Sequence, residues 1–453
     1  MTFRSSHVGT RCLTALFAGL VLVLGADSSR ADDKPAVDPA SVQALTIEPG
    51  TITLRGRDSV QQVFVTAKLT GDSLKDLTKK VTYKSSNEKV ARVDAEGFIY
   101  PVSDGTAEIT AEFGGKSIKV GVTVSNTAEE LPINFPNQIV PIFTKLGCNS
   151  GGCHGKASGQ NGFKISLLGF EPNIDFESLV KEARGRRVFP AAPEKSLLLL
   201  KATAQAPHGG GKRMDVGSHD YNLIRRWIVT GMPYGKPEDP VVTKITVNPP
   251  QRLLSRGAEQ QITVTAHYSD GSTEDVTRHA QYESNETEVA IVDAGGLVKS
   301  LDMSGEAAVM ARYQSNVDVF RATVPLGLPI ASYPDFPANN FIDQHTLAKW
   351  KQLGIVPSDL CSDSEFIRRT MLDICGTTPT AEEVNAFVSN SAPDKRAKLV
   401  DQLLDRKEYA DFFMLKWADI LRVKRRGNAN LRRSTYGFSN WIRERLQNDM
   451  PYD

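Results

Sequence analysis

Residues 45–113 and 245–313 repeat one another, and a chain that carries one segment twice is constrained to fold that segment twice. LTIEPGTITLRG is matched by ITVNPPQRLLSRG, VFVTAKL by ITVTAHY, TYKSSNEKVARVDAEGFI by QYESNETEVAIVDAGGLV, and GTAEITAEF by GEAAVMARY. The offset is about 200 residues, the mark of an internal duplication. Ile262, Val264 and Ala266 alternate with polar neighbours, and Val63, Val65 and Ala67 repeat that spacing with Phe64, Thr66 and Lys68 between and after them. That period of two predicts half-buried strands, and clusters such as Ser269-Asp270-Gly271-Ser272 supply the turns. Regular short strands in ~80–90 residues predict an antiparallel sandwich for each copy. Neither copy contains paired cysteines, so packing alone must hold each core.

Ser86-Asn87, Val90-Ala91, Val93-Asp94, Gly97 and Gly105-Thr106-Ala107 recur as Ser284-Asn285, Val289-Ala290, Val292-Asp293, Gly296 and Gly305. On these residues both copies resemble the bacterial Ig-like group 2 module of surface and adhesin proteins. The resemblance implies a fold signature rather than an active site, and hence sandwiches that space and position their neighbours. The expected spans are 42–126 and 242–326.

Between the copies lies Cys148-Asn149-Ser150-Gly151-Gly152-Cys153-His154-Gly155. Two thiols followed at once by an imidazole is the chemistry of covalent haem attachment: the thiols add to vinyl groups and the histidine ligates iron. The usual motif has two residues between the cysteines, and this one has four. Two other readings use the same atoms. Cys148 and Cys153 close a disulfide in an oxidising compartment, or Cys148, Cys153, His154 and His208 supply the four ligands of zinc.

The surrounding region, 132–236, is expected to open with a helix over 137–146 and close with one over 221–230, ended by Gly231-Met232-Pro233. A helix, a Cys-Cys-His turn, an irregular loop and a final helix bearing Trp227 is the layout of a small c-type cytochrome. Its second axial ligand is His208 or Met214; histidine lowers a haem potential and methionine raises it. The glycines around His208 suit a backbone pressed against a flat cofactor. Met232 ends the helix, and His219 reads as an ordinary helix-start residue. Arg184, Arg186 and Arg187 either pair with propionates or form a solvated basic loop.

The stretches LGCNSGGCHGKASGQNGFKISLLGFEP, ARGRRVFPAAPEKSLLL and PHGGGKR resemble the cytochrome-like domain of large exported planctomycete proteins, which combine it with Ig-like and helical domains. The resemblance implies c-type haem on Cys148, Cys153 and His154.

From Phe341 the pattern becomes helical. Ser362-Asp363-Ser364-Glu365 and Thr380-Ala381-Glu382-Glu383 are capping boxes ahead of apolar faces. Leu399, Val400, Leu403 and Leu404 form a further face, and residues 412–421 another. Residues 363–417 resemble the helical domain of unknown function of the same proteins, which extends beyond the point where this chain stops; the expectation is a truncated helical domain over 338–453. Cys361 and Cys375 flank one helix, too far apart for a disulfide and expected as thiols. Asp373 and Asp419 are not singled out by spacing as catalytic, and no other motif calls for an enzyme. The basic run over 422–433 reads as a solvated face.

At the N-terminus, Arg4 and Arg11 flank an apolar run over 12–25, followed by Ser29-Arg30-Ala31. This predicts a signal peptide over 1–31 and export to the periplasm or cell surface, peripheral to a membrane at most. With 54 Lys+Arg against 53 Asp+Glu and a net charge of +1, nothing draws the chain to nucleic acid. The expected class is therefore multidomain: two all-β Ig-like sandwiches, an α-helical cytochrome c-like domain and a C-terminal all-α domain. The expected function is electron transfer or redox sensing with an unknown redox partner. The alternative is a surface structural or adhesive protein without haem, facing a cell-surface component, with a Cys148–Cys153 disulfide.

Overall fold

The computed structural model describes residues 37–71, 73–327, 330, 332–424 and 429–453. The expected signal peptide and part of the basic run over 422–433 lie outside them. The chain divides into two compact units, one running to Ile355 and one spanning Val356–Asp453.

The first unit holds both copies of the repeat. In the first copy the strands are β1 Val42–Glu48, β2 Thr51–Arg55, β3 Gln61–Gln62, β4 Phe64–Leu69, β5 Leu74–Asp76, β6 Thr82–Ser85, β7 Ala91–Val93, β8 Phe98–Pro101, β9 Gly105–Phe113 and β10 Lys116–Ser125. In the second they are β11 Val242–Asn248, β12 Gln251–Leu253, β13 Glu259–Gln261, β14 Thr263–Tyr268, β15 Thr273–Asp275, β16 Gln281–Ser284, β17 Ala290–Val292, β18 Leu297–Ser300, β19 Gly305–Tyr313 and β20 Asn316–Val324. The first copy forms sheets β1-β4-β5, β2-β10-β9-β6 and β3-β8-β7, and the second repeats that order strand for strand. The pairing is antiparallel except where β2 runs parallel to β10 and β12 parallel to β20. Val63, Val65 and Ala67, like Ile262, Val264 and Ala266, are fully buried, but Phe64, Thr66 and Thr263 between them are buried too, so these strands are covered on both faces rather than half-buried. One buried polar device is also duplicated. Thr78 accepts from Val65 N at 2.9 Å and Thr277 from Val264 N at 2.8 Å. Each threonine carbonyl takes a tyrosine hydroxyl, Tyr83 and Tyr282.

The two sandwiches meet through equivalent residues used reciprocally. Asp76 Oδ2 accepts from Gln261 N at 2.9 Å and Gln260 Nε2 at 3.0 Å. Asp275 Oδ2 accepts from Gln62 N at 2.9 Å and Gln61 Nε2 at 2.6 Å. This self-complementary arrangement is that of a two-fold dimer, here made by two halves of one chain.

The central region is less helical than a cytochrome-like layout predicts. Its helices are α1 Val140–Lys145, α2 Pro172–Phe176, α3 Leu197–Ala202 and α4 His219–Val229, and only α4 exceeds two turns. Prolines at 136, 141, 172, 190 and 193 and the glycines over 147–169 interrupt the ladder. The helix expected over 137–146 is accordingly a wide turn, Phe135–Ile139, running into α1. The closing helix starts two residues earlier than the pattern suggests, because Ser218 accepts from Tyr221 N and caps it. Phe135, Phe143, Leu179, Ile224 and Trp227 form the core, with Trp227 Nε1 donating to Pro233 O at 2.9 Å. α5, Phe341–Leu353, completes this unit.

The second unit contains α6 Asp363–Cys375, α7 Ala381–Ser389, α8 Lys395–Leu404, α9 Lys407–Ile420 and α10 Ala429–Gln447. Both expected capping boxes form, Ser362 with Glu365 and Thr380 with Glu383. Ile367, Met371, Cys375, Phe387 and Leu403 make a small core. The expected apolar faces are only partly buried: Leu404, Leu415 and Ile420 are exposed. α6 ends on Gly376 at φ 68°, where an added Cβ would stand 2.6 Å from a ring carbon of Phe412. A left-handed turn costs an L-residue ~1–2 kcal/mol, and the ring must shift as well. Gly376→Ala is therefore expected to destabilise this unit by about 2 kcal/mol, read as a lower denaturant midpoint with unchanged slope. No helix of the described residues is long and apolar enough to cross a membrane.

Candidate functional site

The Cys-Cys-His segment leaves α1 as a closed turn. Cys148 N donates to Phe143 O at 2.8 Å, Cys153 N to Ser150 O at 3.0 Å, and His154 N returns to Cys148 O at 3.0 Å. Asn149 is fully buried beneath the turn and donates to Thr144 Oγ1 at 2.7 Å. Gly155 then passes so close to the turn that an added Cβ would lie 2.0 Å from Asn149 O. The two extra residues in the spacer are thus absorbed by a backbone loop that keeps the thiols and imidazole together.

Cys148, Cys153, His154, His208 and Met214 all line one cavity of about 340 Å³, within the ~300–1,000 Å³ of small-molecule and cofactor sites. Phe143, Ile165, Leu179 and Leu198 give it apolar walls, Gly209 and Gly210 one edge, and Arg186, Lys201 and Arg213 a basic rim.

The two imidazoles are the most ordered part of the site. His154 and His208 have nearly parallel rings, 7° apart in plane, with centroids 6.4 Å apart. Each Nδ1 lies against a carbonyl, His154 on Phe163 O at 3.0 Å and His208 on Gly211 O at 2.8 Å. A carbonyl only accepts, so each Nδ1 carries a proton, and Nε2 is the remaining ring nitrogen that could ligate a metal. Burial holds the His154 pKa below the ordinary imidazole value, ahead of an opposing contribution from its Phe163 hydrogen bond. The ring is thus neutral and a competent ligand at neutral pH. Burial likewise pushes the Cys148 thiol up to about 11. Cys148, Cys153, Cys361 and Cys375 stand as thiols, Cys375 buried and the others partly so. Arg213 approaches Cys153 Sγ at 3.9 Å.

Other expected residues fall elsewhere. Met214 is buried in the core at the cavity wall. Arg187 is neither a solvated loop residue nor a free anion partner. It is buried, donates to Ser178 O at 2.6 Å and Gly162 O at 2.7 Å, and stacks 4.6 Å from the Phe163 ring centre. Of that basic trio, Arg186 and Arg187 line the cavity and Arg184 does not. His219 is more than a helix start. It meets Asp220 and, from the distant β15–β16 turn, His279, a grouping that no local spacing announces.

Residues 79–126 match a family described as bacterial Ig-like domain, 241–321 the bacterial Ig-like domain (group 2), and 341–453 a protein of unknown function (DUF1549). The chain is thus a multidomain protein of bacterial Ig-like sandwiches followed by a helical DUF1549 region. These matches flank the central cavity region. Ice-binding protein 1 of Shewanella frigidimarina (strain NCIMB 400) is 23% identical over 281 residues, which are 61% of this chain and 28% of that protein. The chain therefore spans under a third of the length of that relative. Among solved structures, the S-layer protein rSbsC(31-844) is 12% identical over 65% of this chain and 29% of its own, at a TM-score of 0.18. Domains 5-6 of the S-layer protein SbsC are 12% identical over 62% and 97%, at a TM-score of 0.26. Scores this low add nothing to the fold.

Proposed function

We propose that this chain is a structural or adhesive protein of the cell surface, with the Ig-like pair as its rigid frame, and that its central cavity holds haem for electron transfer or redox sensing. The surface role is supported by the paired Ig-like modules and by the ice-binding relative that shares 61% of the chain. The expected signal peptide agrees with it. Such a protein faces a cell-surface component or a redox partner and needs no enzymatic step.

The haem reading rests on one observation, the His154–His208 pair. Their rings are nearly parallel with centroids 6.4 Å apart, close enough that one ion could be held by both. The Nδ1–carbonyl bonds are the outer contacts that orient metal-bound histidines. Apolar walls suit a macrocycle, and Arg186, Lys201 and Arg213 suit its carboxylates. His154 and His208 would hold the iron, while Cys148 and Cys153 would add S–H across the vinyl groups. When bound, the group supplies reversible one-electron exchange, and two histidines place it at the low-potential end. Met214 then serves as wall rather than ligand.

The test is to express the full chain for export in a host with haem-attachment machinery and stain a denaturing gel for haem. Staining lost in Cys148→Ser/Cys153→Ser supports covalent attachment. An unstained, colourless wild type removes the haem reading and leaves the surface frame, which accessibility of the sandwiches to antibody on intact cells tests separately.

A further inference from the structure

We propose that His219, Asp220 and His279 form a second, independent site for a zinc-class divalent metal, which pins α4 of the central region to the second sandwich. Their ligand atoms all lie within 4.8 Å of one another. His279 Nε2 and Asp220 Oδ1 are 3.3 Å apart, and the rings of His219 and His279 have centroids 6.1 Å apart. Two imidazoles and one carboxylate is a donor set for zinc and its neighbours in the first transition row, not for calcium or magnesium, which prefer all-oxygen sites.

The three residues are delivered by rigid backbone. His219 and Asp220 open α4 behind the Ser218 cap. His279 sits in the turn between β15 and β16, where its N donates to Val276 O at 2.9 Å. All three are largely withdrawn from solvent, the Asp220 and His279 side chains being 23% and 19% exposed. The two arginines nearby are committed elsewhere: Arg226 pairs with Asp58, and Arg278 lies 5.5 Å from the Phe98 ring centre. Three protein ligands leave a fourth position for water. None of the three residues lines the central cavity.

The experiment uses the full chain in a Cys148→Ser/Cys153→Ser/His208→Gln background, which removes the competing donors. Zinc binding is measured by equilibrium dialysis, and cobalt substitution by visible absorption. One zinc per chain is expected, with a sulfur-free cobalt spectrum and an unfolding midpoint raised by roughly 4 °C at a hundredfold excess over Kd. Magnesium should give no shift. His219→Gln/His279→Gln, checked for native circular dichroism, should bind none. If that pair fails to fold, Asp220→Asn is expected to weaken binding at least tenfold. No zinc on the parent at 100 µM free metal overturns the proposal, and so does undiminished binding by a folded variant.

Discussion

Replacing Asp76 and Asp275 together with alanine is expected to destabilise the first unit most strongly in acid, and progressively less as pH rises. Each carboxyl sits between the sandwiches and accepts three N–H donors. Asp76 takes Thr78 N at 2.8 Å besides the two groups from Gln260 and Gln261, and Asp275 takes Thr277 N at 2.8 Å besides Gln61 and Gln62. Stranding a buried donor costs ~1–3 kcal/mol, so with three donors at least about 3 kcal/mol per site is expected at pH 4. The pH dependence follows from burial, which outweighs those hydrogen bonds and raises both pKa values to about 6 from 3.8. A carboxyl with a raised native pKa holds its proton more tightly when folded. Its contribution is therefore complete below about 3.8 and is lost as pH climbs through about 6. A shift of this size corresponds to up to about 3 kcal/mol per carboxyl. Chemical denaturation of both proteins from pH 4 to 8 reads the difference directly, since all other carboxylates are common to the pair. A difference that stays flat, or grows with pH, would show that the carboxyls are not buried between the sandwiches.

Gly155→Ala is expected to dismantle the cysteine turn. The added methyl would fall 2.0 Å from Asn149 O and 2.9 Å from Ser150 O, both backbone atoms that no side-chain rotation can move. Relief requires the turn to open, which breaks the 3.0 Å return of His154 N to Cys148 O and the 3.1 Å bond from Gly155 N to Ser150 O. Forced overpacking costs ~1–3 kcal/mol and each broken hydrogen bond ~1 kcal/mol more. A loss of about 3–5 kcal/mol is expected from the two together, with His154 displaced from the cavity. Gly152 is the control: it is in the same turn, but an added Cβ meets nothing within 4 Å. Gly152→Ala should stay within about 0.5–1 kcal/mol of wild type. Equal losses in the two variants would contradict the closed geometry.

The duplication and its turn signals made the sandwiches legible because they are local, and Val63, Val65 and Ala67 with their counterparts are buried, although Phe64, Thr66 and Thr263 between them are covered as well. The capping boxes at Ser362 and Thr380 were legible for the same reason. Cys148, Cys153, His154, His208 and Met214, picked out from sequence, line one cavity. What the sequence concealed was non-local. No motif singled out Asp76 or Asp275, and only the packing of one copy on the other reveals their exchange. His219 looked like a helix start because His279 is 60 positions away. Arg187 looked like an exposed loop charge, although three backbone carbonyls hold it inside. The helical content of the central region was overestimated because Pro136 and Pro141 outweigh the apolar spacing around them.

The most direct test is the visible spectrum of the exported full chain, oxidised and reduced, compared with His208→Ala and Met214→Leu. Two imidazole ligands predict a six-coordinate low-spin spectrum that Met214→Leu leaves unchanged and His208→Ala converts to a high-spin form. A spectrum without haem bands, or one that changes with Met214 and not with His208, would contradict the assignment of the paired histidines.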